Sequence, residues 1–326
     1  MAAVPGDRTP SRRTAPPPFK RARGVGSGAP PWPLIALFLL PAFLLYTVFM
    51  IWPLFQSLYF SFFEFKGLAR GDFVGLRNFQ ELLTRYPVNE QLPRAFLHNV
   101  YFFVGTMAIQ NTMGLLFARL LHGSRRGKRF FQTVYILPYL ISALVVGYLW
   151  SLMLNPLFGP VNQVLKAIGL EELALPWLGD PRTALPAIIL VNAWQWMGFP
   201  MLLFSAGLAN ITDDLREAAQ IDGATHWKLF RHIELPLLLP VIGIVTVLTF
   251  IGNFNAFGIV WAMGGVNGEP AGATDVLGLV FYRTAFRGGI DAFGLASALA
   301  VLMFVFIFGV SMFMLGRFRR WEENLT

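Results

Sequence analysis

Six stretches of this chain stay apolar for about 20 residues each, the length a helix needs to cross a hydrocarbon layer. They lie at roughly 34–55, 98–121, 131–154, 184–208, 237–258 and 293–315. Inside lipid every backbone N–H and C=O needs a partner within the protein, so only helices and closed barrels can span it. Runs of this length predict an all-α membrane protein with six transmembrane helices. Pro41, Pro53, Pro138 and Pro200 fall in or near these runs, where neighbouring helices satisfy the backbone groups that proline frees. Only 13% of the 326 residues are charged, against about 25% in ordinary soluble domains.

The charges that remain set an orientation. The segment 119–130 carries Arg119, Arg125, Arg126, Lys128 and Arg129 with no acid, and Arg317, Arg319 and Arg320 follow the last run. With the N-terminus inside, the inner segments hold 17 of the 26 Lys and Arg, as the positive-inside bias requires. Both termini are therefore expected in the cytoplasm. The net charge of +8 follows from this bias, and no basic stripe interleaved with aromatics suggests nucleic acid. Residues 1–33 are rich in Pro, Gly, Ser and Arg and are expected to form a disordered cytoplasmic tail. The leader before the first apolar run is long and no small-x-small cleavage site follows it, so the run is read as a retained span. Residues 34–320 form the membrane domain, and 321–326 a C-terminal tail.

Apart from Arg119 near an end, the six runs contain no Asp, Glu, Lys or Arg. Proton-coupled carriers place such groups in mid-membrane at about 2.5–3.5 kcal/mol each, so energy is expected to enter from outside the bilayer. The chain has no phosphate loop of its own. In Gly123-Ser124-Arg125-Arg126-Gly127-Lys128-Arg129 the glycines stand one residue too close, and Arg129 replaces the Ser or Thr that would hold Mg²⁺. There is no cysteine, and the four histidines lie at no metal-site spacing. No catalytic constellation and no metal site is expected, and the chain is not an enzyme.

One polar stretch between apolar runs, 212–236, is ordered by its own residues. Thr212 suits an N-cap, and Asp213 and Asp214 suit the positive end of a helix dipole. Gly223 suits the left-handed residue that ends a helix near Asp222. A second short helix should then present Trp227, Phe230 and Ile233 on one face and turn Lys228, Arg231 and Glu234 elsewhere. By local physics alone, two helices with a fixed bend can equally be a docking knob or an amphipathic segment on the membrane surface. In the last run, Gly294 with Ala298, or Ala296 with Ala300, puts small residues one turn apart. Such a face serves packing within the chain or against a second subunit.

The spacing Glu217-Ala218-Ala219, three residues, Gly223, nine residues, Ile233, one residue, Leu235-Pro236 resembles the cytoplasmic docking loop of binding-protein-dependent ABC importer permeases. The resemblance extends over about 34–320 to the sugar branch, the maltose-permease type. Asp72 through Phe79, Leu137-Pro138 through Trp150 with Asn155-Pro156, Ala206-Gly207-Leu208, Phe254 through Gly265 and Tyr282 through Phe286 carry it. It implies ATPase docking through Glu217, Ala218, Ala219, Asp222, Gly223, Ala224, Ile233, Leu235 and Pro236. It implies a second permease subunit, an ATPase dimer that uses ATP and Mg²⁺, and an extracytoplasmic sugar-binding protein, with no cofactor on this chain. The membrane would be the cytoplasmic (inner) membrane of a bacterium or archaeon.

The sequence departs from that pattern in places. The large outer insertion of some maltose permeases is absent from 56–97, and the run Asn192 to Pro200 is two residues longer than usual. Asn253 stands at a position that faces sugar in the maltose type, whereas Ala256 replaces an asparagine. Sugars favour planar amides for hydroxyl edges and aromatic faces for the apolar ring. Asn253, Asn255 and Phe254, with Asn192, Gln195, Trp194 and Trp196, supply that mixture as candidate pathway residues. Intramembrane amides also bond between helices, and tryptophans also form interfacial belts. An ion-coupled or passive sugar carrier is the alternative function.

Overall fold

The structure, a computed structural model, describes residues 32–67, 69–123 and 127–323. Most of the tail expected at 1–33, Arg125 and Arg126 of the basic loop, and residues 324–326 lie outside them. The chain divides into two compact units, Met1–Pro53 and Leu54–Thr326. The described part of the first unit is one apolar helix from Trp32, loosened by a π-turn at Thr47–Ile51. This helix, α1, runs Trp32–Phe60.

The second unit is also mostly helical, but not purely so. An antiparallel hairpin of β1 (Phe63–Lys66) and β2 (Ala69–Phe73) follows α1, with Phe63 opposite Phe73 and an irregularity before Phe65. The all-α expectation is corrected there. The hairpin is held by α2 (Arg77–Thr84), whose buried Asn78 donates to the Ser61 and Phe63 carbonyls at 2.9 Å.

The remaining helices are α3 (Val88–His122), α4 (Lys128–Leu140), α5 (Ala143–Met153), α6 (Pro160–Ala167), α7 (Ala184–Trp196), α8 (Gly198–Ala209), α9 (Asp213–Ile221), α10 (His226–Leu237), α11 (Leu239–Phe254), α12 (Gly258–Gly264), α13 (Leu277–Arg287) and α14 (Phe293–Glu323). Among the described residues, α1, α3 and α14 are long and apolar enough to cross a membrane. The runs at 131–154, 184–208 and 237–258 are not continuous helices. They are bent pairs, α4 with α5 at 96°, α7 with α8 at 46°, and α10 with α11 at 66°.

Each bend has a local cause. Ile141 is extended between α4 and α5, at φ −86° and ψ 140°, after a tight turn containing Pro138. Gly198 opens α8 so close to α4 that an added Cβ would collide with the Tyr135 carbonyl. Pro200 lies in the first turn of α8 and Pro240 in the first turn of α11, where the missing N–H breaks no helical bond. The run at 237–258 also ends early, because α11 stops at Phe254 and α12 begins separately at Gly258.

Three apolar clusters hold the second unit together. Phe102, Val146, Ile188 and Val260 join α3, α5, α7 and α12. Leu82, Phe250, Phe254 and Ala298 join α2, α11 and α14. Ala118, Phe204 and Leu238 join α3 to α8 and the start of α11. Ala296 and Ala298 are buried in the chain's own core, so this part of the small-residue face serves internal packing.

Candidate functional site

A cavity of about 410 Å³ opens beside the end of α11. Of the residues that sequence reasoning picked, Asn192, Trp196, Asn253 and Asn255 line it. Asn192 and Asn253 are 8% and 4% exposed. Among the described residues neither side-chain amide has a protein hydrogen-bond partner, although buried amides nearly always find one. Both residues line the cavity. Trp196 is partly exposed and packs edge-on against Tyr139 at 5.0 Å, which stacks on Phe199, another lining residue. None of the lining side chains is charged. Amides and ring faces without charge suit a neutral hydroxylated molecule.

The other three picks lie elsewhere. Gln195 is buried and donates to the Ile141 carbonyl at 2.8 Å, the group freed by the bend between α4 and α5. Trp194 packs against Trp150 beside a separate apolar cavity of about 280 Å³. Phe254 is 2% exposed and packs among Phe96, Phe250 and Phe306. The asparagine pattern was legible, but adjacency along a helix says nothing about which neighbour points inward.

Sequence reasoning missed Gln110, Thr249 and Asn99. Gln110 and Thr249 line the cavity and meet through Asn111, with contacts of 3.2 and 3.0 Å. Asn99, fully buried, donates to the Asn253 carbonyl at 2.7 Å and accepts from the Leu277 N–H at 2.8 Å. It fixes the end of α11 against the start of α13. Three amides inside an apolar run were the signal available for Asn99, Gln110 and Asn111.

The segment at 212–236 folds into two short helices with a bend, as expected. Gly223 has φ +81°. Its N–H reaches the Gln220 carbonyl at 3.0 Å and the Ala224 N–H reaches that of Ala219 at 2.9 Å, the paired bonds of a left-handed helix stop. Thr212 occupies the N-cap position with extended backbone, but its hydroxyl makes no capping bond. Thr225 caps the second helix by accepting from the Lys228 N–H. Glu217, Ala218, Asp222 and Gly223 are exposed, Ala219 is buried, and Ala224, Ile233, Leu235 and Pro236 are half-buried.

On the second helix the Trp227 and Phe230 rings share a face, with centres 5.7 Å apart. Trp227 is 65% exposed, whereas Leu229 and Glu234 are buried. A π-turn at Phe230–Glu234 adds a residue to the helical turn and shifts the register. Glu234 is 2% exposed and pairs with Arg119 of α3 and, at 3.3 Å, with Arg216 of α9.

Residues 110–321 match the family described as "Binding-protein-dependent transport system inner membrane component". The chain is 34% identical over 291 residues to "Probable ABC transporter permease protein YurN" of Bacillus subtilis (strain 168), covering 88% of this chain and 97% of that one. It is 31% identical over 287 residues to "Trehalose/maltose transport system permease protein MalF" of Thermococcus litoralis, covering 87% and 94%. A solved bacterial ABC transporter for import of the acidic polysaccharide alginate is 25% identical and superposes with a TM-score of 0.76, covering 89% and 96%. The alginate transporter solved with an alginate pentasaccharide-bound periplasmic protein is also 25% identical and gives 0.74, covering 89% and 94%.

Proposed function

The chain belongs to the family of binding-protein-dependent transport system inner membrane components, and we propose that its cavity forms half of the passage by which a sugar crosses the membrane. It is a permease subunit of an ATP-driven sugar importer, and ATP hydrolysis falls to a separate subunit. In this reading each bent helix pair is one span, giving six, with both termini in the cytoplasm. The positive-inside bias supports that orientation. The segment 212–236 then docks on the ATPase dimer, through Glu217, Asp222 and Gly223 at its exposed bend. A second permease subunit completes the passage. An extracytoplasmic sugar-binding protein delivers substrate, by analogy with the periplasmic protein of the alginate transporter. The membrane is the cytoplasmic (inner) membrane of a bacterium or archaeon.

The observation that carries the sugar pathway is the pair Asn192 and Asn253, buried residues that line one cavity with Trp196 and Phe199. Radiolabelled trehalose and maltose, presented to the assembled importer in proteoliposomes, test it. ATP-dependent uptake of at least one is expected, and Asn253→Ala should lower it about tenfold, the value of one lost hydrogen bond of roughly 1.4 kcal/mol. Uptake by the purified chain alone down an ion gradient would overturn the reading in favour of a secondary carrier.

A further inference from the structure

We infer that Glu234 is a positioning residue that clamps the docking loop to the helices of the cavity, so that the loop and those helices move as one body. The inference rests on the reading that 212–236 meets the ATPase. Glu234 lies in the π-turn of α10, at the junction that leads through Leu238 into α11. One of its carboxylate oxygens takes the Arg119 guanidinium of α3, and the other accepts from Arg216 Nε of α9 at 3.3 Å.

Each arginine is itself tied to other elements. Arg119 donates to the His226 carbonyl at 2.8 Å and lies over the Phe230 ring, 4.6 Å from its centre. Arg216 donates to the Leu208 carbonyl at 2.7 Å, to that of Ile211 at 3.0 Å and to Asp213 at 3.0 Å. One carboxylate thus gathers the end of α3, the end of α8 and both loop helices. Arginine suits this role, because its planar fork bonds several acceptors in a fixed geometry.

The clamp has a second rung. Asn111 of α3 bonds Thr249 of α11 at 3.0 Å, and Gln110 and Thr249 line the cavity. Helix α3 is therefore tied to α10 at the loop end, through Arg119 and Glu234, and to α11 beside the cavity, through Asn111 and Thr249. Ties at two separated levels of α3 resist both sliding and rotation of the bent α10–α11 pair against it. A push on the bend at Gly223 reaches Arg216 and Glu234 first, and then both helices together. Buried ion pairs add little net stability but penalise any state that separates them, which is the property a joint needs.

The absence of cysteine makes a direct test available. Spin labels on Gln220→Cys, exposed on the loop, and Leu120→Cys, 64% exposed on α3, report the distance across the clamp in the assembled importer. With Glu234 present, the distribution should be narrow and the same without nucleotide and after trapping with ATP and vanadate. Glu234→Gln should broaden it at least about twofold or make it depend on nucleotide, because the bound and free loop positions are no longer tied. Glu234→Asp, which keeps the charge, should restore most of the narrow distribution, whereas a packing role alone would favour the isosteric Gln.

ATPase co-purification should be unchanged when Glu234 is replaced, relative to the same labelled chain with Glu234 intact. A distribution that stays narrow and nucleotide-independent in Glu234→Gln overturns the clamp. If Glu234→Gln does not fold, Arg119→Lys, at a partly exposed site, must give the same broadening or the clamp is overturned. Failure of the unaltered chain to retain the ATPase would instead strike the docking reading.

Discussion

Gly223 carries the bend of the segment 212–236, the proposed docking loop, and its role there follows from one dihedral. At φ +81° a side chain crowds its own backbone, at a cost of about 1 kcal/mol for most residues. Space is not the constraint, because a Cβ there would meet nothing within 4 Å. Gly223→Ala is therefore expected to loosen the bend by about 1 kcal/mol and reduce ATPase retention severalfold. Gly223→Pro should be more severe, since proline fixes φ near −65° and removes the N–H that bonds Gln220. ATPase recovered per permease on co-purification measures both, and insertion into the membrane should be unaffected. Equal retention by Gly223→Pro would exclude the bend as a determinant of docking. The need for glycine was legible in the sequence because it is local. The partner of Glu234 was not, because Arg119 stands 115 residues away and no local spacing points to it.

Helices were legible as apolar runs, but their bends and registers were not. Hydropathy is an average over a window, so it reads α4 and α5 as one span although they meet at 96°. The side chain that makes this bend tolerable is Gln195, which reaches across to the Ile141 carbonyl at 2.8 Å. Next to two tryptophans it looked like a sugar contact. A carbonyl left unmatched in an apolar setting costs about 1–3 kcal/mol, so Gln195→Leu should lower the Tm of the solubilised chain by roughly 2–4 °C per kcal/mol. ATPase retention should not change. If Gln195→Leu instead abolished sugar uptake at an unchanged Tm, Gln195 would be a pathway residue after all. The second loop helix shows the same limit. A regular 3.6-residue period put Trp227, Phe230 and Ile233 on one face, and the Trp227 and Phe230 rings meet there at 5.7 Å, but the period gave no sign that Glu234, at the end of the π-turn, is buried.

At the scale of the whole chain, charge is excluded from the apolar runs and concentrated at their ends. That distribution argues against an ion relay within the bilayer and, in the proposed mechanism, leaves the segment 212–236 as the place where work is delivered. It also favours the orientation that the proposed mechanism needs, because a loop facing outward would meet no ATPase. Two exposed positions separate the faces. Gln220 lies on the docking loop, and Glu172 lies in the segment between α6 and α7. Because the natural chain has no cysteine, single substitutions Gln220→Cys and Glu172→Cys need no altered background. A membrane-impermeant maleimide added to intact cells, or to spheroplasts where an outer membrane or wall intervenes, should label Glu172→Cys at once. It should label Gln220→Cys only after the membrane is opened. The basic segment at 119–130 predicts this result, since it shares a face with the loop in a chain with an even number of spans between them. Labelling of Gln220→Cys in sealed cells would invert the topology, and ATPase docking at 212–236 would then be physically impossible.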